Sequence, residues 1–171
     1  DAHFCFGKYS VYPGNALEDQ IKPFVDGAFD LEDGTKTTSA IMPYYTISYN
    51  VDPTGGNVGN SYSQYIIRDL IRGKYGYDEV ICTDWAVTHD YYVVEDAHGK
   101  CWGYETATEA ERHFAILLAG VDQFGGNNDK KPVLDAYKIW AERFGEDDAR
   151  KRFETSAVRL LMNMFRTGLF D

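Results

Sequence analysis

An α/β fold with parallel strands is what this chain predicts. Short β-rich apolar runs alternate with amphipathic segments that open on capping residues and close on glycine, and strands alternating with capped helices imply right-handed βαβ crossovers. The reactive edge of such a sheet lies at the carboxyl ends of its strands.

The elements follow in order along the chain. Asn15 with Glu18 has the spacing of a capping box, and Leu17, Ile21, Phe24, Val25 and Ala28 recur at helical spacing behind it, with Pro23 expected to kink the helix. After a turn at Gly34, residues Ala40 to Tyr45 read as a strand made irregular by Pro43, and Asp52-Pro53-Thr54-Gly55-Gly56 as loop. Ser61 with Gln64 suggests a second capping box, opening a helix with Tyr65, Ile66, Leu70 and Ile71 that stops at Gly73.

A second strand, Glu79 to Asp84, precedes a polar and aromatic loop from Ala86 to about Thr106; loops of that length in small domains tend to carry function. Thr108 with Glu111 caps a third helix carrying Ala110, Phe114, Leu117 and Leu118 and ended by Gly120. Val121 to Phe124 is a brief strand, and Gly125-Gly126-Asn127-Asn128 reads as a turn, lacking the lysine and spacing of a phosphate cradle. Two helices close the chain, from about Pro132 to Phe144 and from about Asp147 to Thr167. The latter places Phe153, Ala157, Leu160, Leu161, Met164 and Phe165 on one face. Three βα units of this kind are either a small open sheet or part of a barrel, because a closed (β/α)₈ barrel takes about 250 residues.

Composition narrows the function classes. With 171 residues, 44% hydrophobic and 15% aromatic, the chain has the apolar content of a single domain with a sizeable core. A formal charge of −10 and no basic stripe argue against nucleic acid or an anionic membrane as partner. Charge interrupts the apolar segments well before the roughly 20 residues of a membrane span. Cys5, Cys82 and Cys101 form neither a disulfide framework nor a zinc pattern and leave the compartment undecided, a periplasmic or secreted parent being one reading. His3, His89, His98 and His113 lack ligand spacing, so neither a metal nor another cofactor is expected.

The run Val80-Ile81-Cys82-Thr83-Asp84-Trp85 is the most informative stretch. It reads as a buried strand that ends in a carboxylate and an indole, which makes Asp84 a candidate for chemistry and Trp85 a candidate for holding a ring beside it. Asp after a strand is equally a turn residue or a helix N-cap.

The segment Tyr75-Gly76-Tyr77-Asp78-Glu79-Val80-Ile81-Cys82-Thr83-Asp84-Trp85 resembles the nucleophile segment of the family 3 glycoside hydrolases, the β-glucosidase group, whose strand ends in Ser/Thr-Asp-Trp. Arg68 to Gly73 is similar to the helix leading into that strand, and Ala40-Ile41-Met42-Pro43-Tyr44-Tyr45 to the family's Val-Met-Pro-Ser-Tyr strand. Ala119-Gly120-Val121-Asp122 resembles its Ala-Gly-Val-Asp, and Ser156 to Leu161 through Arg166 to Phe170 resembles the helix that closes its barrel. These segments keep the family's order and cover nearly the whole chain.

The resemblance implies that residues 1–171 are one unit, the C-terminal portion of a (β/α)₈ barrel, starting around Asp1-Ala2-His3-Phe4 just after the family's Lys-His-Phe/Trp motif. It implies a retaining exo-acting β-glycosidase with Asp84 as catalytic nucleophile, and Trp85 and Tyr45 as residues that bind the carbohydrate substrate. Tyr44 is the weaker claimant, and rim packing is the competing role for Tyr45. Ser/Thr-Asp-Trp favours the glucosidase branch over the N-acetylhexosaminidase branch, and Cys101-Trp102-Gly103 falls outside the common pattern. The general acid is expected outside this chain, and the isolated fragment is expected to be inactive. Asp122 is expected to have a structural, hydrogen-bonding role. The alternative is a non-catalytic half-barrel that mediates interactions or binds carbohydrate, self-associating through exposed strand edges.

Overall fold

Parallel pairing is present but very short. The computed structural model describes residues 2–3, 5–90 and 100–170, so Asp1, Phe4, His98 and the middle of the 86–106 loop lie outside the described residues. Four strands of two residues, β1 (Tyr9–Ser10), β2 (Ala40–Ile41), β3 (Ile47–Ser48) and β4 (Val80–Ile81), pair in parallel as β1 with β3 and β2 with β4. The segment expected as a strand at 121–124 extends the second sheet. There the Asp122 and Gln123 amides donate to Ile81 O at 2.8 and 3.2 Å, and the Thr83 amide donates to Gln123 O at 2.8 Å. The chain is thus a mixed α/β fold. Its two small sheets do not by themselves draw the arc of a barrel.

The helices agree with the sequence except at two starts. Helix α1 (Leu17–Lys22) has no side-chain cap, because Asn15 sits at φ +59° in the preceding turn and Glu18 instead accepts from Lys74 Nζ at 2.8 Å and from Tyr75 Oη at 3.1 Å. Pro23, which lacks an amide hydrogen, ends the α winding, and Pro23–Ala28 continues as a π turn closed by Phe29 N to Phe24 O. None of the apolar residues of this segment is fully buried. Leu17, Ile21, Phe24 and Val25 line an apolar recess of about 260 Å³. The next helix, Tyr65–Lys74, is also π-wound, and its cap is Ser63, whose Oγ accepts from Ile66 N at 3.1 Å, rather than Ser61.

Helix α2 (Glu109–Ala119) has the expected capping box, Thr108 with Glu111, and ends at Gly120 with φ +107°, a left-handed value that glycine adopts without strain. It packs on α3 (Lys131–Phe144), and α3 packs on α4 (Glu146–Arg166), around Phe114, Leu117, Ala136, Trp140 and Ala149. The larger core gathers Tyr45, Ile47, Tyr62, Ile67, Ile81, Trp102, Ile116 and Val121 around the sheets.

His113 of α2 is fully buried. Its Nδ1 lies 2.8 Å from the Glu109 carbonyl, which can only accept, so Nδ1 carries the proton and Nε2 accepts from Asn127 Nδ2 at 3.1 Å. Burial pushes its pKa below the ordinary 6.5.

Helix α4 docks by an unexpected face. The stripe read as its core side is mostly exposed, Leu161, Met164 and Phe165 included. Beyond its first turns, where Ala149 and Phe153 pack against α3, the face that meets the protein is Arg152, Ser156, Arg159, Asn163 and Arg166, spaced like the a and d positions of a heptad but polar. The reason is Asp122, whose side chain has no access to solvent. Its Oδ2 accepts from Arg72 Nη2 at 2.6 Å and from the Ile81 amide at 3.1 Å, and its Oδ1 accepts from Ser156 Oγ at 2.7 Å and Arg159 Nη1 at 2.9 Å. Arg152 Nη1 completes the cluster at 3.8 Å, and its guanidinium also donates to Leu117 O and Val121 O. Burial pushes the Arg152 pKa down to about 10 against the pull of Asp122, which leaves it charged at neutral pH. Lower on the same face, Arg166 bonds Glu79 through both terminal nitrogens, at 2.6 and 2.7 Å.

Removing the carboxylate charge leaves buried guanidinium groups uncompensated, so Asp122→Asn is expected to destabilise the fold by about 3–5 kcal/mol in chemical denaturation; a midpoint within error of the parent would remove Asp122 from its central place. His113 couples stability to pH through its proton. The unfolded chain binds this proton near pH 6.5 and the folded chain only at lower pH, so the contribution is complete above about 6.5 and is lost as pH falls below it. The unfolding midpoint is expected to drop across that window, and less steeply in His113→Gln.

Candidate functional site

Asp84 stands three residues beyond β4, where a parallel strand hands over to its loop, and is 7% exposed. Its Oδ1 accepts from the Trp85 amide at 2.6 Å, which fixes the carboxylate against its own backbone. The following turn, residues 85–88, has each of its carbonyls accepting a hydrogen bond. Tyr45 Oη donates to Trp85 O at 2.7 Å, the His89 amide to Ala86 O at 3.1 Å, Tyr62 Oη to Val87 O at 2.9 Å and Arg112 Nη1 to Thr88 O at 3.0 Å.

These donors come from separate parts of the chain. Tyr45 follows β2, Tyr62 belongs to the short 3₁₀ turn Asn60–Tyr62, and Arg112 to α2, where its guanidinium also holds the carbonyls of Tyr104 and Glu105. Tyr62 is buried, stacks on Tyr104 at 4.7 Å, and has its phenol pKa raised well above the ordinary value by burial. A hydroxyl that stays protonated remains a donor. The turn is therefore held from three sides, the arrangement that keeps reacting groups in place before a ligand arrives.

Of the residues singled out in the sequence, Asp84, Trp85 and Tyr45 come together. Tyr45 is 5% exposed, and its hydroxyl reaches the Trp85 carbonyl. Its ring meets His3 at 5.5 Å and Tyr44 at 5.5 Å, and Lys100 Nζ lies 5.5 Å from its centroid. Tyr44 is more exposed and pairs its hydroxyl with His3 Nδ1 at 3.1 Å. Trp85 is the opposite case, with 61% of its surface open beside a buried carboxylate. An indole left in water next to a held carboxylate can stack on the apolar side of a ring-shaped ligand.

Asp122 stays apart from this group, as its four hydrogen bonds require. Cys101-Trp102-Gly103 is packing: Trp102 is buried, its carbonyl accepts from Gly59 N at 2.9 Å, and Gly103 sits at φ +90° where a Cβ would meet Val58 Cγ1 at 2.5 Å. Among the described residues no group of histidines, cysteines and carboxylates is arranged to hold a metal ion, and no helix is long and apolar enough to cross a membrane.

Sequence reasoning missed the supports. Tyr62 and Arg112 lie inside helical patterns that read as ordinary packing, and Ala86, at φ +53°, carries no local signal of its left-handed backbone. The aromatic Tyr62 and an arginine on the inner side of α2 were visible only as residue types.

No family model matches the chain. Along its whole length it is 37% identical to beta-glucosidase C of Emericella nidulans and 35% identical to a periplasmic beta-glucosidase/beta-xylosidase of Dickeya chrysanthemi, spanning 26% of each. Its fold matches a glycoside hydrolase family 3 beta-N-acetylglucosaminidase from Paenibacillus sp., with a TM-score of 0.68 and 20% identity over 95% of this chain and 28% of that one. It also matches a beta-N-acetylhexosaminidase from Beutenbergia cavernae, with a TM-score of 0.58 and 20% identity over 92% of this chain and 42% of that one. Sharing more than a third of its residues with a β-glucosidase along its full length, and the fold of a family 3 structure, the chain resembles a part of the family 3 glycoside hydrolases and spans about a quarter of its curated relatives.

Proposed function

We propose that the chain is the nucleophile-bearing part of a retaining, exo-acting β-glycosidase of the β-glucosidase type, and that residues 1–171 form the C-terminal portion of its (β/α)₈ barrel. The observation that carries this reading is a carboxylate held at the end of a parallel strand beside an exposed indole, in a chain whose β-glucosidase relative is 37% identical.

In this mechanism the Asp84 carboxylate attacks the anomeric carbon of a terminal β-linked sugar. A C–O bond forms to Asp84 Oδ2 as the bond to the aglycone breaks, and the departing oxygen takes a proton from a carboxylic acid elsewhere in the parent, roughly 5 to 5.5 Å from the nucleophile. Water then releases the sugar, with that acid now acting as base. Oδ1, which accepts from the Trp85 amide, is the oxygen that stays anchored. Trp85 stacks against the aglycone side, and Tyr45 acts by holding the Trp85 carbonyl.

The acid lies outside these residues, so the chain alone is inactive. The apolar recess beside α1 and the exposed apolar side of α4 are then surfaces that the rest of the parent covers. The second reading, a half-barrel that binds a partner or a sugar without hydrolysing it, draws on those same surfaces.

Asp84→Asn in the expressed product of the gene is expected to lower hydrolysis of 4-nitrophenyl β-glucoside by on the order of 10³-fold or more. A 2-deoxy-2-fluoro-β-glucoside is expected to leave its glycosyl group on the Asp84 peptide, read by mass; label on another carboxylate would displace Asp84 as nucleophile. The 171-residue chain assayed by itself is expected to be inert, and turnover that disappears with Asp84→Asn would show that no outside acid is needed.

A further inference from the structure

Gly125 and Gly126 carry more than a change of chain direction. The amide of Gly125 donates to Thr83 Oγ1 at 2.8 Å and its carbonyl accepts from Ala86 N at 2.9 Å, so this loop is sewn to both sides of the Asp84-Trp85 pair. One residue on, Asn127 Nδ2 donates to Thr88 Oγ1 at 2.9 Å and closes the connection at the far end of the turn.

The indole lies against this backbone along its length. A Cβ on Gly125 would stand 2.9 Å from Trp85 Cε3 and 3.2 Å from Cζ3, at the six-membered ring; a Cβ on Gly126 would stand 2.7 Å from Cδ1 and 2.9 Å from Cγ, at the five-membered ring. Any side chain at either position would occupy the space the indole fills. The two positions differ in what else they meet. At Gly125 a Cβ also falls 2.4 Å from the Thr83 carbonyl, whereas at Gly126 the nearest backbone atom, Ala86 N, is 3.3 Å away. Position 126 therefore reports on the ring.

We propose that Gly125 and Gly126 are positioning residues, forming a seat without side chains that holds the exposed Trp85 indole in one orientation beside Asp84. The proposal rests on the reading of Asp84 as the reacting carboxylate and Trp85 as the surface on which the aglycone stacks. An indole that is 61% exposed has few neighbours to choose its rotamer, and fixing it before the ligand arrives removes an ordering cost from binding. The left-handed Ala86, at φ +53°, belongs to the same device, because it turns the chain so that its amide meets Gly125 O.

The test is a double-mutant cycle in the expressed gene product with Gly126→Ala, Trp85→Ala and both together, following kcat and KM for 4-nitrophenyl β-glucoside. Gly126 is at φ +70°, so alanine there strains the backbone whichever residue occupies position 85. The collision is with Cδ1 and Cγ of the indole, atoms that alanine at position 85 lacks. Gly126→Ala is expected to lower kcat/KM about tenfold, chiefly through KM, and to add nothing in the Trp85→Ala background; an equal loss in both backgrounds overturns the proposal. A second readout needs no turnover. Acrylamide quenching of the Trp85 fluorescence, taken as the difference from Trp85→Ala, is expected to rise in Gly126→Ala, and an unchanged value counts against the seat. If Gly126→Ala fails to fold, folding regained in the double variant supports the seat and failure in both overturns it. A product that never hydrolyses the glycoside defeats the glycosidase reading, while the quenching result still decides the position of the ring.

Discussion

The buried carboxylate of Asp122 imposes the demand on which the rest of the structure depends. A charge removed from water needs donors and counter-charge from the protein, and here they arrive from the Tyr65–Lys74 helix, the β4 backbone and α4. Arg72 also reaches the carbonyls of Tyr77, Glu79 and Gly120, and Arg152 those of Leu117 and Val121. The result is a set of elements tied to β4 by directional bonds. Ordinary apolar packing would fix their distance without fixing their rotation.

That rotation matters just beyond the same strand. From Ile81, whose amide meets Asp122, the chain needs only three residues to reach Asp84. The polar cluster anchors the strand, and the turn after it is anchored through its carbonyls by Tyr45, Tyr62 and Arg112. Between these two fixed points the carboxylate has little room to wander, which is what a reaction requiring sub-ångström placement needs.

Much of this was legible in the sequence, for identifiable reasons. Helices α2, α3 and α4 were read within a residue or two because a capping box, a glycine terminator and a proline near the helix start are local signals. The strand ending at Asp84 was legible as an apolar run, and the Asp84, Trp85 and Tyr45 grouping through its family resemblance. The side on which α4 docks was not. Its apolar stripe obeys the helical period, but the winning term was a buried charge on a distant segment, which no reading of α4 alone contains. The cap at Ser63 rather than Ser61, and the unpaired Asn15, reflect chain entry angles set by tertiary contacts. Gly125 and Gly126 looked like a turn because their role depends on an indole about forty residues away in the chain.

The polar face of α4 has a further consequence. Its arginines recur at 152, 159 and 166 and meet carboxylates or carbonyls at fixed positions, with Ser156 and Asn163 between them. A stripe of leucines tolerates sliding by a turn, because one methyl group resembles the next. Here a shift of one turn would set a serine or asparagine where a guanidinium is needed and strand a charge, so α4 has a single seating. The helix acts as a key cut for one lock position, and its fidelity comes from charge pattern and not from the amount of surface it covers.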